Sequence, residues 1–285
     1  MIAQVRPLRG DSAAASLRHL WGVVLPRHYT GRGERQGALA RPLERASRLI
    51  PASRLVTVLT RDAVAEARQD LAAVPGLQRC LEPASRGTAP EIFLAALSVL
   101  QQDPHAVVAA LPVEHLAEHG HRLMQYVARA AAAAALRPEL PIIVGAYPGS
   151  RDPEYAWLEP GDPVEGLEAF TVRTVRRIVA QPSPAQRANG LLGMLAMVTT
   201  AQTLIALGRR HLPDVLECLE PLEDVVGGPE ATLLCDAVWE SMPRASLCGD
   251  LLAHVPHLGV VSMPDAMTGE RGAGAYGPDT EALAS

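Results

Sequence analysis

Four short apolar runs recur in the first half of the chain, and longer segments of helical pattern separate them. The runs are rich in β-branched residues and show little polar alternation, as is typical of strands buried on both faces of a sheet. They are "LWGVVL" (20–25), "RLVTVLT" (54–60), "HAVVAALP" (105–112) and "LPIIVGAYP" (140–148). The helical segments are 38–49, 61–74, 90–102 and 113–136. This alternation predicts an α/β fold of βαβ units with a mainly parallel central sheet and flanking helices.

The second half of the chain has a different pattern. "YAWLEPG" (155–161) and "AFTVRTVRRIVAQP" (169–182) indicate two strands around a Gly-Asp-Pro turn, and "LGVVSM" (258–263) indicates a late strand after mostly helical sequence. We therefore expect one α/β domain over residues 19–271, with an added mixed region. Residues 1–18 and 272–285 are rich in Ala, Gly and Ser and are expected to be flexible tails.

Composition narrows the range of functions. With 285 residues, of which 48% are hydrophobic, the chain has enough apolar side chains for a packed core. Aromatic residues make up only 4% and the net charge is −5, which argues against nucleic-acid binding. We find no segment typical of a signal peptide or a membrane span, so a cytoplasmic protein without membrane contact is expected. The four cysteines form no CxxC pair and are expected to be reduced.

Lysine is absent from the sequence, so all 26 basic residues are arginines. The planar guanidinium group of arginine binds phosphate well, but it does not form Schiff bases or donate protons near neutral pH. Mechanisms that require a lysine are therefore excluded, whereas phosphate recognition is not.

Five segments, in order along the chain, carry a resemblance to a known family. They are "EPASRGTAPEI" (82–92), "VVAALPVEH" (107–115), "EYAWLEPG" (154–161), "VRRIVAQPS" (175–183) and "PDAMTGER" (264–271). They resemble, respectively, the TAP turn that opens a helix near the nucleotide, the LPxDH strand end, EYGWIEPG, VxxFxEKPS and SDWGTPER. These are motifs of the sugar-1-phosphate nucleotidyltransferases, and the resemblance is strongest to the mannose-1-phosphate guanylyltransferase branch.

The resemblance implies a Rossmann-like nucleotidyltransferase fold and a defined reaction. A sugar 1-phosphate, here mannose 1-phosphate, attacks the α-phosphate of a nucleoside triphosphate such as GTP, and pyrophosphate leaves. Such chemistry depends on positioning, cationic groups and a divalent metal, here Mg²⁺. The site residues that the resemblance implies are Arg27 for catalysis, Arg86, Gly87, Thr88 and Ala89 for the nucleotide, Glu159 and Gly193 for the sugar, and Glu114 and Asp265 for the metal.

The chain departs from the family pattern after its first strand. "VVL" (23–25) is followed at once by "PRHYTGRGERQG" (26–37), in which Pro26 and Arg27 align with the family's PKQ segment. The glycine-rich phosphate loop that precedes PKQ is then missing. Two other interpretations stay open: "YTGRGERQG" (29–37) is a rewritten loop that uses Gly31 and Gly33, or it is an exposed turn before a helix.

Further departures concern charged and polar positions. Gln181 replaces the lysine of EKP, and Glu114 is one methylene longer than the family's aspartate. In "LLGMLAMV" (191–198), which resembles a family strand, Gly193 stands where an asparagine faces the sugar. Loss of a single charge-stabilising donor typically lowers the rate by about a hundredfold to a thousandfold. Two hypotheses follow. The chain is an active nucleotidyltransferase, or it is a catalytically silent relative that acts as a ligand-binding or regulatory partner, alone, with another protein or as a homo-oligomer.

A third hypothesis rests on "EHLAEHGH" (114–121). Here His115, Glu118 and His119 match the HxxEH arrangement of zinc peptidases, in which two histidines on one helix face bind zinc and the glutamate acts as a base. The motif would need a third ligand that the sequence does not identify, and His115 is also the histidine of the LPxDH-like segment. A zinc hydrolase is therefore the weakest of the three hypotheses.

Overall fold

The computed structural model describes residues 17–26, 39–147, 156–179, 192–223 and 231–263, together with positions 182, 183, 185, 186 and 190. The side chains of residues 117–119 and 231–233 are outside this description. The strands are β1 (Leu20–Leu25), β2 (Leu55–Thr60), β3 (Gln78–Glu82), β4 (Val107–Pro112), β5 (Ile142–Ala146), β6 (Trp157–Pro163), β7 (Val172–Val179), β8 (Leu192–Thr200) and β9 (Gly259–Met263). The helices are α1 (Ala40–Ser47), α2 (Arg61–Ala72), α3 (Thr88–Gln102), α4 (Val113–Leu136), α5 (Ala201–His211), α6 (Pro213–Leu219) and α7 (Ala231–Ser241).

The nine strands form one sheet in the order β3-β2-β1-β4-β8-β5-β9-β7-β6. The first four strands in this order, β3-β2-β1-β4, run parallel to one another, as the alternation of strands and helices predicts. The prediction of a mainly parallel sheet is nevertheless wrong for the second half. There β8 runs antiparallel to β4, β5 and β6, and β7 runs antiparallel to β6 and β9, so that only β5 and β9 are parallel.

The antiparallel half closes on itself. Residues 193–198 of β8 pair with β5, whereas Leu192 and Gly193 pair with β6. Because β6 also pairs with β7, β7 with β9 and β9 with β5, five strands form a closed ring that includes β8. For β6 and β7 the physical reason is their short connection, since a short connection can join antiparallel strands but not parallel ones.

Helices cover both faces of the sheet. On one face, α3, α5, α6 and α7 pack on a core that contains Phe93 and Trp239. On the other face, α1, α2 and α4 pack on a second core that contains Leu43 and Leu123. Helices α2 and α5 each begin after a threonine whose hydroxyl accepts a hydrogen bond from a backbone N–H of the first turn, as expected of an N-cap residue.

Helix α4 contains one irregular residue. Gly120 has φ 49° and ψ −122°, which interrupts the helix between two regular parts. This backbone conformation favours glycine, and a β-carbon at this position would lie 3.2 Å from the Arg45 side chain.

In the part of the chain that the structure describes, no helix is both long enough and apolar enough to cross a membrane.

Strand β3 was not predicted from the sequence. Its residues, QRCLE, alternate between exposed and buried positions and include two charged side chains, unlike the apolar runs that mark β1, β2, β4 and β5. It lies at the edge of the parallel half, where one face and one side of the strand are less covered. Strand β8, by contrast, agrees with the strand expected around residues 191–198.

Candidate functional site

The carboxyl ends of the parallel strands lie along one edge of the sheet. Leu25 at the end of β1 is in register with Pro112 at the end of β4, and Thr60 at the end of β2 is in register with Glu82 at the end of β3. The chain proceeds outward from β1 to β2 and β3, and then crosses to β4 on the other side of β1. The junction of β1 and β4 is therefore a topological switch point, where ligands bind in open α/β sheets.

The turn 86–89, RGTA, leads from β3 into α3 at the same edge. Helix α3 begins at Thr88, as predicted for the RGTAP segment. Gly87 has φ 99° and ψ 170°, a conformation that is essentially restricted to glycine. A β-carbon at Gly87 would also lie only 2.3 Å from the Ala245 carbonyl oxygen. The turn is thus closely packed against a segment from the C-terminal third of the chain.

Backbone and side-chain hydrogen bonds join the two segments. The Ala89 N–H donates to the Ala245 carbonyl at 3.1 Å, and the Ala245 N–H donates to the Arg86 carbonyl at 3.0 Å. The Thr88 hydroxyl accepts from the Leu247 N–H at 2.9 Å. The first-turn N–H of α3 at Ala89 is therefore satisfied by the protein itself, not held open for an anion.

A hydrogen bond holds the guanidinium group of Arg86 in place. Its Nη2 donates to the Trp239 carbonyl at 3.1 Å, and the Trp239 indole N–H donates in turn to the Ala84 carbonyl at 2.7 Å. The Nε atom of Arg86 is buried and has no hydrogen-bond partner among the described residues. This buried N–H of the guanidinium group therefore has no acceptor among the described residues.

Two buried glutamates flank this turn, and sequence reasoning assigned neither of them to the site. Glu82 is 2% exposed and Glu91 is 7% exposed. Burial, followed by the charge of Glu91, raises the pKa of Glu82 to about 9. The Ser85 hydroxyl donates to Glu91 Oε1 at 2.8 Å and accepts from the Gly87 N–H at 3.4 Å. With its pKa raised to about 9, Glu82 is expected to be protonated at neutral pH, beside the Glu91 carboxylate in the first turn of α3.

Glu114 lies in the first turn of α4, directly after β4, and is partly exposed. It therefore lies beside the switch point, where the resemblance implies a metal ligand. Its expected partner Asp265 lies outside the described residues, as do Arg27 and Gln181. The chain leaves β9 at this same edge, because Met263 pairs with Ala146 at the end of β5.

The two expected sugar-binding residues lie on neighbouring strands. Gly193 in β8 pairs with Trp157 in β6, and Glu159 follows Trp157 by two positions. Glu159 accepts a 2.5 Å hydrogen bond from the Arg177 guanidinium and lies 3.9 Å from that of Arg176. The Glu159 carboxylate is thus paired with arginines of β7 in this structure.

Among the described residues, the zinc motif gains no third ligand. His115 is buried in the first turn of α4, and the side chains of Glu118 and His119 lie outside the described residues. Within the described residues, no group of three or more His, Cys, Asp or Glu side chains is arranged to hold a metal ion.

Comparisons with known proteins give a fold but no family. No family model matches the chain, and no curated protein matches it. Among solved structures, a protein from Thermus thermophilus described as mannose-1-phosphate geranyltransferase is 22% identical, with a TM-score of 0.69 over 86% of this chain and 74% of that one. A Helicobacter pylori protein described as mannose-6-phosphate isomerase is 14% identical, with a TM-score of 0.60 over 86% of this chain and 97% of that one. The chain therefore has a nucleotidyltransferase-like fold.

Proposed function

We propose that the chain is a sugar-1-phosphate nucleotidyltransferase-like protein that binds a nucleotide and a sugar phosphate at the carboxyl edge of β1 and β4. The observation that carries this proposal is the switch point between these two strands, where open α/β sheets bind their ligands. The motif resemblance favours GTP and mannose 1-phosphate as the first substrates to test. The name of the Thermus protein, with mannose 1-phosphate in it, agrees with that choice.

The residues at this edge suit an anionic ligand in specific ways. The buried Nε of Arg86 is a donor without a described partner, and an arginine is well suited to phosphate or to a base carbonyl. Gly87 permits the positive-φ conformation of the turn that opens α3. Arg27 follows the end of β1 by two positions and is the cation assigned to the transferring phosphate.

The proposed site includes two carboxylates, oxygen donors of the type that Mg²⁺ prefers. The Glu114 carboxylate is partly exposed beside the switch point, and Asp265 follows the end of β9 by two positions. Together with phosphate oxygens and water, these two carboxylates are the types of ligand that a magnesium ion takes. When bound, the ion neutralises negative charge on the phosphates. Glu114 and Asp265 hold and orient it, and Glu159 and Gly193 line the sugar side.

A second candidate function is ligand binding without turnover, and one observation favours it. The Ala89 N–H is already bonded to the Ala245 carbonyl, so the start of α3 offers one free backbone donor fewer to a phosphate group. A site that binds the ligand but does not stabilise the transition state has low turnover. In this alternative, the chain binds a nucleotide sugar without converting it and regulates a partner protein.

Two measurements on the full chain separate these functions. Titration calorimetry with GTP and GDP-mannose, with and without Mg²⁺, tests binding, and pyrophosphate release from GTP and mannose 1-phosphate tests turnover. Binding with turnover above about 1 s⁻¹ supports the enzyme. Binding without pyrophosphate release supports the silent relative. The absence of binding for both ligands at millimolar concentration contradicts both proposals.

A further inference from the structure

Two histidines meet at the edge of the sheet opposite the proposed nucleotide site. His19 directly precedes β1 and His105 lies two residues before β4, so that the parallel pairing of these strands brings them together. The Val107 N–H donates to the His19 carbonyl at 2.7 Å, which extends the β1–β4 ladder to this point. The His19 side chain is 45% exposed, and His105 is exposed. Neither residue has a role in the proposed function.

Asp103 fixes the orientation of the His19 ring. Both carboxylate oxygens lie 2.9 Å from His19 Nδ1. The same carboxylate accepts hydrogen bonds from the Trp21 indole N–H at 3.2 Å and from the His105 backbone N–H at 3.0 Å. An ionised carboxylate accepts and does not donate, so His19 Nδ1 carries a proton, and in the neutral ring Nε2 then has a free lone pair. Metal-binding histidines typically have such a carboxylate on their second ring nitrogen.

The separation of the two rings fits joint coordination of one ion. The centroids of the His19 and His105 rings are 5.7 Å apart, with an angle of 77° between the ring planes. A zinc ion about 2.0–2.1 Å from a ring nitrogen lies about 3.2 Å from the ring centroid. Two imidazoles at a tetrahedral angle around that ion therefore have centroids about 5.2 Å apart. The two rings in this structure are therefore about 0.5 Å farther apart than in such a pair.

We propose that His19 and His105 form a binding site for a divalent transition-metal ion such as Zn²⁺ or Ni²⁺. Imidazole nitrogens suit these ions and do not suit Mg²⁺ or Ca²⁺, so the site is distinct in chemistry from the carboxylates at the opposite edge. Two protein ligands leave the other coordination positions to water or to a ligand from solution. Asp103 is a positioning residue that acts through His19.

The test is calorimetric titration of the full chain with Zn²⁺ and Ni²⁺, without a histidine tag. The His105→Ala variant removes one ligand from an exposed position. It keeps the backbone N–H of residue 105, which donates a hydrogen bond to the Asp103 carboxylate. The matched control is His119→Ala/His121→Ala, which removes two histidines of α4. We expect His105→Ala to weaken binding at this site at least about tenfold, and the control to retain it.

A second readout follows the ligand atoms directly. In ¹⁵N-edited NMR spectra of the histidine rings, Zn²⁺ should shift the Nε2 signal of His19 while Nδ1 stays protonated. Asp103→Asn should lower the affinity for the metal about 10- to 100-fold and disturb the tautomer of His19. Unchanged affinity in His105→Ala, loss of all binding in the α4 control, or no metal binding by the wild-type chain would each overturn the proposal.

Discussion

The amide of Ala89 donates a 3.1 Å hydrogen bond to the carbonyl of Ala245, and this bond closes the start of α3 with a segment from the far end of the chain. The junction leaves no room for a side chain at Gly87, because a β-carbon there would lie 2.3 Å from the same carbonyl oxygen. The close approach of these two segments therefore depends on a glycine, and it is open to a direct test.

The first prediction concerns Gly87→Ala. The φ of 99° alone costs alanine about 1–3 kcal/mol, and the clash with Ala245 adds to this cost. We expect the free energy of unfolding in urea to fall by about 3 kcal/mol or more. Gly166→Ala is the matched control, because Gly166 also has positive φ, at 80°, but nothing lies within 4 Å of a β-carbon there. Equal losses in both variants would show that the contact with Ala245 is unimportant.

The second prediction concerns Arg86→Lys. The substitution keeps the positive charge but removes the Nε donor and the planar fork. We expect the affinity for GTP to fall about tenfold, in line with the loss of one hydrogen bond to a charged group. Arg79→Ala, an exposed arginine on β3, is the control and should bind GTP like the wild type. Calorimetry measures both, and a wild-type affinity in Arg86→Lys argues against nucleotide binding at this turn.

The third prediction concerns the pH dependence of stability through Glu82, whose pKa burial and the Glu91 charge raise to about 9 from an ordinary 4.5. Between these two values the folded state binds more protons than the unfolded state, so stability falls as pH rises and levels off above about 9. The limiting slope is about 1.4 kcal/mol per pH unit. Glu82→Gln mimics the protonated acid and should flatten this slope.

Urea unfolding between about pH 5 and 9 measures this effect. Glu82→Gln should gain stability over the wild type progressively as pH rises, and the two should converge near the ordinary pKa of 4.5. Glu217→Gln, an exposed glutamate of α6, serves as the control and should follow the wild-type profile. A constant difference between Glu82→Gln and the wild type at all pH values would show that Glu82 ionises normally.

The fourth prediction concerns Glu114→Gln and magnesium. If Glu114 is a ligand of Mg²⁺ at the nucleotide, the neutral amide should remove most of the gain in GTP affinity that Mg²⁺ produces. GTP binding without metal should stay close to that of the wild type or improve, because a negative charge near the phosphates is removed. Calorimetric titrations in Mg²⁺ and in EDTA provide the comparison, again with Glu217→Gln as the control. An unchanged response to Mg²⁺ would exclude Glu114 as a ligand.

The apolar strands and the helices between them were predictable because their pattern is local. β1 spans Leu20–Leu25 and α4 spans Val113–Leu136, both as predicted, and the other predicted strands of the first half begin or end within two residues of the prediction. β3 was missed because an edge strand needs only one buried face, and its alternation of exposed and buried residues is short. The local pattern thus predicts the strands and helices of the first half except the edge strand β3.

The environment of the candidate site was less predictable, because it depends on residues distant in sequence. The turn before α3 was found from its motif, but its contacts with Trp239, Ala245 and Leu247 leave no local signal. Glu91 was visible as an acidic residue in the first turn of a helix, a common stabilising feature. Only the fold shows that it is buried beside Glu82.

The position of β8 also has a consequence for the order of events during synthesis. β8 pairs with β4, β5 and β6, and β9 lies between β5 and β7. The edges of β4 and β5 that face β8 therefore stay unpaired until residues 192–200 have left the ribosome, and the other edge of β5 stays unpaired until residues 259–263 have done so. At about 5–20 residues per second, the interval between the end of β5 and the end of β9 is roughly 6–23 s. During that time the nascent chain presents open strand edges, which are the surfaces that chaperones protect from aggregation.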